Sequence, residues 1–258
     1  MLLQGKGAVV TGGGRGIGAA VAQALARHGA AVVVSARTKK EIERVAEEIR
    51  ESGGQAWSVP CDVTNPDEVD RLTEAAAEHL GSADILVNNA GSASSAPLKA
   101  IELEEWNRLL AINATAPFLC TKAFMPGMLA AGWGRVVMIA STAGKVGHPY
   151  IAAYTASKHA LIGFTRAVAA EVAGKGVTVN SICPGYVNTP MTDQSVARIV
   201  ERTGMNESDA REYLRHLSPQ GRLIEPEEVA HQVISLCDPV ARGVNGQALV
   251  IDGGAVQS

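Results

Sequence analysis

Thr11-Gly12-Gly13-Gly14-Arg15-Gly16-Ile17-Gly18 is the stretch on which the reading of the fold turns. It follows an apolar run, Gly7–Thr11, that reads as a first strand. After it, Ile17, Val21, Ala24 and Leu25 mark one helix face, and Gly29 supplies the stop. A glycine cluster alone is a weak signal. Set between a strand and a helix, it reads as a turn that cradles a phosphate. Glycines there let the backbone turn sharply, admit a pyrophosphate close to the main chain, and let the helix approach the sheet. The expectation is a dinucleotide-binding site.

The same rhythm continues outward to the end of the chain. Ala30–Ala36 reads as a second strand, and Ile42, Val45, Ala46 and Ile49 form a helix face ended by Gly53-Gly54. Ala56–Val59 is a short third strand. Thr64-Asn65-Pro66 then opens a helix with a cap and a first-turn proline, faced by Val69, Leu72, Ala76 and Leu80 and closed by Gly81. Ile85–Asn88, Arg135–Ser141, Val177–Cys183 and Ala248–Ile251 complete the strand series. This alternation predicts an α/β fold: one Rossmann domain over residues 1–258, with a doubly wound parallel sheet of about seven strands flanked by helices. Residues 189–221 break the rhythm, being charge-rich and helical in pattern between two core elements, and are predicted to form a helical substrate lid.

Composition excludes several classes. The 258 residues include 41 Ala and 27 Gly, which crowd helix faces and strand ends, and only 10 aromatics. With 47% hydrophobic and 19% charged residues the chain is neither disordered nor collagen-like. No apolar run approaches the ~18 residues of a membrane span. The formal charge of −3 and the lack of a basic stripe argue against nucleic acid or an anionic membrane as partner. Cys61, Cys120, Cys183 and Cys237 are widely spaced, with no CxxC or Cys/His cluster, so no metal site is expected and a reducing compartment is favoured. Met1–Lys6 lacks the basic-then-apolar pattern of a secretion signal. The expected location is cytoplasmic.

The end of the second strand decides the flavour of cofactor. A carboxylate about 20 residues past the glycines would hold a ribose 2′-hydroxyl and favour NAD. Here the chain reads Val34-Ser35-Ala36-Arg37-Thr38-Lys39-Lys40, with no acid until Glu41. Arg37, helped by Arg15, is suited to pair a 2′-phosphate. NADP(H) is favoured, with NAD(H) left open.

Tyr154 and Lys158 are four apart in a helical stretch and so share a face. An ammonium beside a phenol lowers its pKa from ~10 by stabilising phenolate, and the pair can then move a proton to or from a carbonyl oxygen. Ser141, 13 residues earlier, is placed to hydrogen-bond the same oxygen and orient the substrate. Chance alone gives about a tenth of a Tyr-x-x-x-Lys pair in a chain of this composition, and far less once the serine is required.

With these residues the chain resembles the short-chain dehydrogenase/reductase family, over essentially its full length. Thr11–Gly18 resembles that family's TGxxxGxG motif, and Asn88-Asn89-Ala90-Gly91 its NNAG. Asn113, Ser141, Tyr154 and Lys158 match its catalytic tetrad, and Pro184-Gly185 followed by Thr189 its segment after the sixth strand. The resemblance implies that Gly12, Gly14, Arg15, Gly16, Ile17 and Gly18 form the cofactor turn. It implies that Asp62 and Val63 meet the adenine, and Asn89, Ala90 and Gly91 the ribose and its neighbouring backbone. Tyr154 and Lys158 would also bind the nicotinamide ribose, while Pro184, Gly185, Val187 and Thr189 would lie at the nicotinamide. Asn113 would bend its helix and hold a water linking Lys158 to solvent. A homotetramer is implied, with the long helices after the fourth and fifth strands buried against neighbours.

Within the family the chain looks most like β-ketoacyl-acyl-carrier-protein reductases and aromatic polyketide ketoreductases, on Ala140–Lys145 and Tyr154–His159. The implied activity is NADP(H)-dependent reduction of a ketone to a secondary alcohol, on a 3-oxoacyl thioester carried by acyl-carrier protein or CoA, or on a polyketide-like carbonyl. The chain departs from the polyketide enzymes at Ser92-Ala93-Ser94-Ser95, where they carry Pro-Gly-Gly. The segment from Gly204 through Arg222 resembles the lid of 3-hydroxybutyrate dehydrogenases. The His and Lys with which those enzymes hold a free carboxylate are Ala143 and Ile151 here, which disfavours a small acid charged beside its carbonyl. His148 and Gln194 are further polar pocket candidates. Two other readings stay open: an NAD(P)-dependent alcohol or 3-hydroxyacyl dehydrogenase working oxidatively, and a non-catalytic dinucleotide-binding regulator. The complete Ser141, Tyr154 and Lys158 set argues against the latter.

Overall fold

Each predicted strand places alternate side chains on opposite faces, and both faces are apolar, so the sheet must be covered on both sides. The computed structural model, which describes residues 1–257, has this arrangement. Its strands are β1 (Gly7–Thr11), β2 (Ala31–Ala36), β3 (Gln55–Pro60), β4 (Ile85–Asn88), β5 (Gly134–Ile139), β6 (Val177–Pro184) and β7 (Ala248–Ile251). They form one sheet in the order β3-β2-β1-β4-β5-β6-β7, and every pair is parallel. The order reverses between β1 and β4, so the connections leaving their carboxyl ends run to opposite sides of the sheet; ligands of open α/β sheets bind in the crevice at such points.

One face of the sheet, including Val10, Val34, Val87, Val137 and Ile182, packs against α1 (Gly16–Arg27), α2 (Lys39–Glu51) and α9 (Pro226–Cys237). The other, including Val9, Val33, Leu86, Val136 and Cys183, packs against α3 (Pro66–Leu80), α5 (Ala116–Ala131) and α6 (Ala152–Glu171). Full burial of each such side chain contributes roughly 1.5–3 kcal/mol, so the two clusters hold the sheet firmly between its helix layers. The expected caps are in place: Asn65 accepts the N–H of Asp67 with Pro66 in the first turn, and Gly81 ends α3 at φ +70°.

One boundary differs where it matters. Strand β5 ends at Ile139, two residues before Ser141, which instead caps a short 3-10 turn, Thr142–Gly144, and accepts the N–H of Ala143 at 3.1 Å. A hydroxyl next to a free backbone N–H favours the local turn over one more ladder bond.

Between β4 and β5 the chain runs through α4 (Leu103–Leu110), a five-residue π turn (Ala111–Thr115) and α5 as one bent rod, with Asn113 buried in the middle of the turn. Residues 189–221 fold as α7 (Pro190–Thr203) and α8 (Glu207–His216), joined by their own small core of Val196, Ala210, Leu214 and Leu223. Their far end is tied to the sheet by Ser218, whose hydroxyl donates to the Asp252 carbonyl at 3.1 Å. Among the described residues no helix is long and apolar enough to cross a membrane.

Candidate active site

The glycine turn closes against the carboxyl end of β4. A Cβ at Gly18 would lie 2.2 Å from the Gly12 carbonyl oxygen, and one at Gly12 (φ +62°) 2.8 Å from the Ala90 Cα. These two glycines therefore serve the chain's own packing as much as any ligand. The Thr11 hydroxyl ties the strands together: it donates to the Val87 carbonyl at 3.3 Å and accepts the N–H groups of Asn89 (3.1 Å) and Ala90 (3.2 Å). Sequence reading passed over this hydroxyl, although Thr11 opens the motif. The Asn89 side-chain amide donates to the carbonyls of Thr11 (3.1 Å) and Gly12 (3.0 Å) and so braces the turn.

The turn fits a dinucleotide. Helix α1 begins after Arg15 with no side-chain cap and no acid in its first turn, which leaves its N-terminal N–H groups and positive dipole end for an anion. Across the turn, the Thr189 methyl stands 3.1 Å from where a Cβ on Gly16 would be, a tight approach at a backbone position (φ +53°) that favours glycine. Ile17, next along, packs against the core.

On the far side of the turn, Arg37 is well exposed (77%) and lies 3.8 Å from the Asp62 carboxylate. Burial alone would raise the Asp62 pKa; bonds from the Thr64 hydroxyl and N–H, with Arg37 nearby, outweigh it and lower the value. Val63 is buried beneath. Arg15 lies 3.4 Å from Glu41, the first acid after β2. Both arginines flank the end of β2, each leaning on a carboxylate that an incoming phosphate would compete with.

At the other end of the crevice Tyr154, Lys158 and Ser141 converge, brought there by the first turns of α6 and the turn after β5. The Tyr154 hydroxyl faces the Ser141 hydroxyl closely enough for Ser141 to favour the phenolate. Lys158 is buried, donates to the Ile139 carbonyl at 2.9 Å, and lies 5.8 Å from the Tyr154 ring centre. Burial pushes the Tyr154 phenol up to about 12, against the lowering effect of Ser141, and pushes Lys158 down to about 8. The expected lowering of the phenol is thus reversed in the free protein. The ammonium is turned to a carbonyl rather than to the hydroxyl, and desolvation outweighs it.

Asn113 joins this cluster indirectly. Its Oδ1 accepts the Ser92 N–H at 3.0 Å, while its Nδ2 donates to the Ser92 carbonyl at 2.8 Å and to the Ser157 hydroxyl at 3.1 Å. Ser157 donates in turn to the Tyr154 carbonyl at 2.7 Å. Gly91 permits the approach: a Cβ there would lie 3.0 Å from Asn113 Oδ1 and 3.7 Å from Lys158 Nζ. Ser157 and the Ile139 carbonyl escaped the sequence reading. A backbone acceptor carries no sequence signal, and Ser157 was eclipsed by its neighbour Lys158.

Of the segment after β6, Pro184 ends the strand, buried, and Gly185 passes where a Cβ would be 3.0 Å from that of Asp252. The Val187 side chain lies in the core, while its carbonyl accepts the hydroxyls of Thr189 (3.3 Å) and Thr192 (2.5 Å). Thr189 faces the glycine turn. His148 and Gln194 are exposed.

Comparison with known proteins agrees with this geometry. The family model described as short chain dehydrogenase matches residues 6–199. A D-beta-hydroxybutyrate dehydrogenase of Rhizobium meliloti is 38% identical over 96% of this chain and 98% of its own. A 3-oxoacyl-(acyl-carrier-protein) reductase of Synechocystis sp. is 41% identical over 96% of each. Among solved structures, a variant of actinorhodin polyketide ketoreductase with NADPH superposes with a TM-score of 0.94 at 38% identity, over 97% of both chains. Crevice, glycine turn, Ser-Tyr-Lys cluster and these likenesses converge: the chain belongs to the short-chain dehydrogenase family.

Proposed function

We propose that this protein is an NADP(H)-dependent oxidoreductase that reduces a ketone to a secondary alcohol. The observation that carries the reading is the convergence of Tyr154, Ser141 and the buried Lys158 at the carboxyl edge of the sheet, with the Lys158 ammonium 5.8 Å from the Tyr154 ring centre. The proposed substrate is a 3-oxoacyl thioester on acyl-carrier protein or CoA, or a related ketone. The Synechocystis relative, named for the carrier-protein substrate, supports this.

NADPH, when bound, supplies the hydride to the carbonyl carbon. The chain's own residues do the rest. Gly12, Gly14, Gly16 and Gly18 would leave room for the pyrophosphate at the N-terminus of α1, and Arg37 with Arg15 would hold the 2′-phosphate. Asp62 and Val63 would border the adenine, Ala90 and Gly91 the ribose, and Thr189 with Val187 the nicotinamide end. The Tyr154 hydroxyl donates its proton to the carbonyl oxygen as the carbon is reduced, while Ser141 hydrogen-bonds that oxygen. Tyr154, like any phenol, is protonated at neutral pH, and burial shifts it further the same way, so it enters the reaction as an acid. Lys158 offsets the phenolate left behind, and Asn113 acts as a positioning residue through Ser92 and Ser157. Helices α7 and α8 serve as the lid that excludes water.

The reverse, oxidative reading uses the same residues, and the Rhizobium relative's name favours keeping it in the assay. Two further proposals concern setting. The outer face of α5 and α6, where the 43% exposed Phe118 stacks edge-on against Phe164, is proposed as the contact of a homotetramer, to be checked by light scattering. Four buried free thiols suit the reducing cytoplasm. The deciding experiment follows NADPH and NADH consumption across ketones and β-ketoacyl thioesters, and the reverse reaction with the matching alcohols. Faster turnover with NADPH and a β-keto substrate is expected; no turnover of any ketone would overturn the reading.

A further inference from the structure

Helix α7 presents one stripe, at positions 191, 195, 198 and 202, that its packing does not use. These residues are spaced by four, three and four and so share a face. The residues that hold α7 down, Thr192 and Val196, are buried on another side. The stripe changes character along its length: Met191 (41% exposed), then Ser195, then two arginines. At 1.5 Å per residue, Arg198 is about 10 Å and Arg202 about 16 Å along the axis from Met191.

Three observations place this stripe on the substrate crevice. Arg202 donates to the Ser95 carbonyl at 2.7 Å, so its end of α7 touches the loop that follows Gly91. The same loop is fixed from its other side, where the Ala96 N–H bonds the Tyr150 carbonyl at 2.7 Å, four residues before Tyr154. Tyr186, between β6 and α7, lies within electrostatic reach of both Tyr154 and Arg198. The stripe therefore meets loop 92–97 at its Arg202 end, and Tyr186 links its Arg198 to the neighbourhood of Tyr154.

Neither arginine has a carboxylate partner among the described residues. Arg198 is half-buried and bonds only the Ser195 hydroxyl of its own helix, at 2.9 Å; Arg202 bonds only Ser95. The other arginines of the lid segment, Arg211 and Arg215, and Arg222 just after it are all in ion pairs. Two guanidinium groups one turn apart, one of them partly desolvated, repel each other, and Arg198 is held below its ordinary pKa first by burial and then by Arg202. Such an arrangement is relieved by an anion set between them.

We propose that Arg198 and Arg202 form a subsite for an anionic group at the end of the substrate remote from its carbonyl, either a carboxylate or the phosphate of a thioester-carrying arm. Met191 and Ser195 then line the uncharged stretch between that group and the reacting carbon. This assignment rests on the ketone-reducing reading above. It also accounts for the lack of basic residues at Ala143 and Ile151: the charge is held at the lid, not beside the carbonyl.

The test is a ratio of kcat/KM values for matched pairs: 4-oxocyclohexanecarboxylate against cyclohexanone, and acetoacetyl-CoA against the N-acetylcysteamine thioester, which lacks phosphate. In Arg198→Met and Arg202→Met the anionic-to-neutral ratio is expected to fall about tenfold or more for at least one pair. The pair that responds identifies the anion as carboxylate or phosphate. The control Arg215→Met, whose arginine is paired with Glu212, should leave both ratios as in the parent. Equal effects on charged and neutral partners, or no effect, would overturn the subsite. If the parent reduces no ketone, the functional reading fails separately, and calorimetric titration with cyclohexanecarboxylate still decides the subsite: binding weaker by tenfold in the double variant supports it, and unchanged or absent binding overturns it.

Discussion

The side-chain amide of Asn113 holds both backbone groups of Ser92, accepting its N–H at 3.0 Å and donating to its carbonyl at 2.8 Å. A π turn aims this side chain at the loop after β4, so the bend in the α4–α5 rod and the position of the substrate loop are one feature. Asn113→Ala removes three hydrogen bonds at a buried position and leaves backbone groups of Ser92 unsatisfied. We expect a loss of about 2–4 kcal/mol, a fall in Tm on the order of 10 °C, and a loss of turnover larger than the unfolded fraction explains. Calorimetry and assay at a temperature where the variant is folded check this.

Tyr154→Phe keeps the ring and removes the proton donor. Turnover should fall by about 10²–10⁴-fold, while fluorescence titration shows nearly unchanged binding of NADPH. A variant that retained turnover would place proton transfer elsewhere.

Lys158 sets a pH signature in stability. Burial lowers its pKa from 10.5 to about 8, so between those values the unfolded chain binds more protons than the folded one and stability rises with pH. Below about pH 8 the buried charge is a full penalty, on the order of 3 kcal/mol. Lys158→Met should therefore be more stable than the parent at pH 7, with the difference shrinking as pH rises from about 8 to 10.5. Tyr154 acts oppositely: its pKa is raised from 10 to about 12, so stability is lost as pH climbs through that window. Urea unfolding of parent and variant at pH 7 and 9.5 separates the two groups.

Arg37 is exposed, and its 3.8 Å approach to Asp62 adds little to stability. Arg37→Ala should melt with the parent. Its preference for NADPH over NADH, measured as a ratio of kcat/KM values, should drop by about 10–100-fold, the worth of one charge-assisted phosphate contact. An unchanged ratio would move the cofactor choice away from the end of β2.

Much of the fold was legible because its causes are local. Apolar runs such as Val32-Val33-Val34 can only be strands buried on both faces, Asn65-Pro66 starts a helix, and Gly81 ends one, whatever surrounds them. The Tyr154/Lys158 pair was legible for the same reason, since a spacing of four on a helix fixes a shared face. What could not be read were contacts between residues distant in sequence. The Thr11 hydroxyl across β4, the turn of Lys158 toward the Ile139 carbonyl, and the Arg202 bond to Ser95 each join segments that only sheet order brings together. The direction of the Tyr154 pKa belongs with these. Sequence put an ammonium beside a phenol, but the sign of the shift depends on how deeply both are buried and where the ammonium points. The sequence by itself determined the elements, their alternation and the chemical groups at the carboxyl edge, because propensity and periodicity act over a few residues. The tertiary structure alone decided which groups meet, how dry their surroundings are and what each proton does, because desolvation and long-range hydrogen bonding depend on the packed whole.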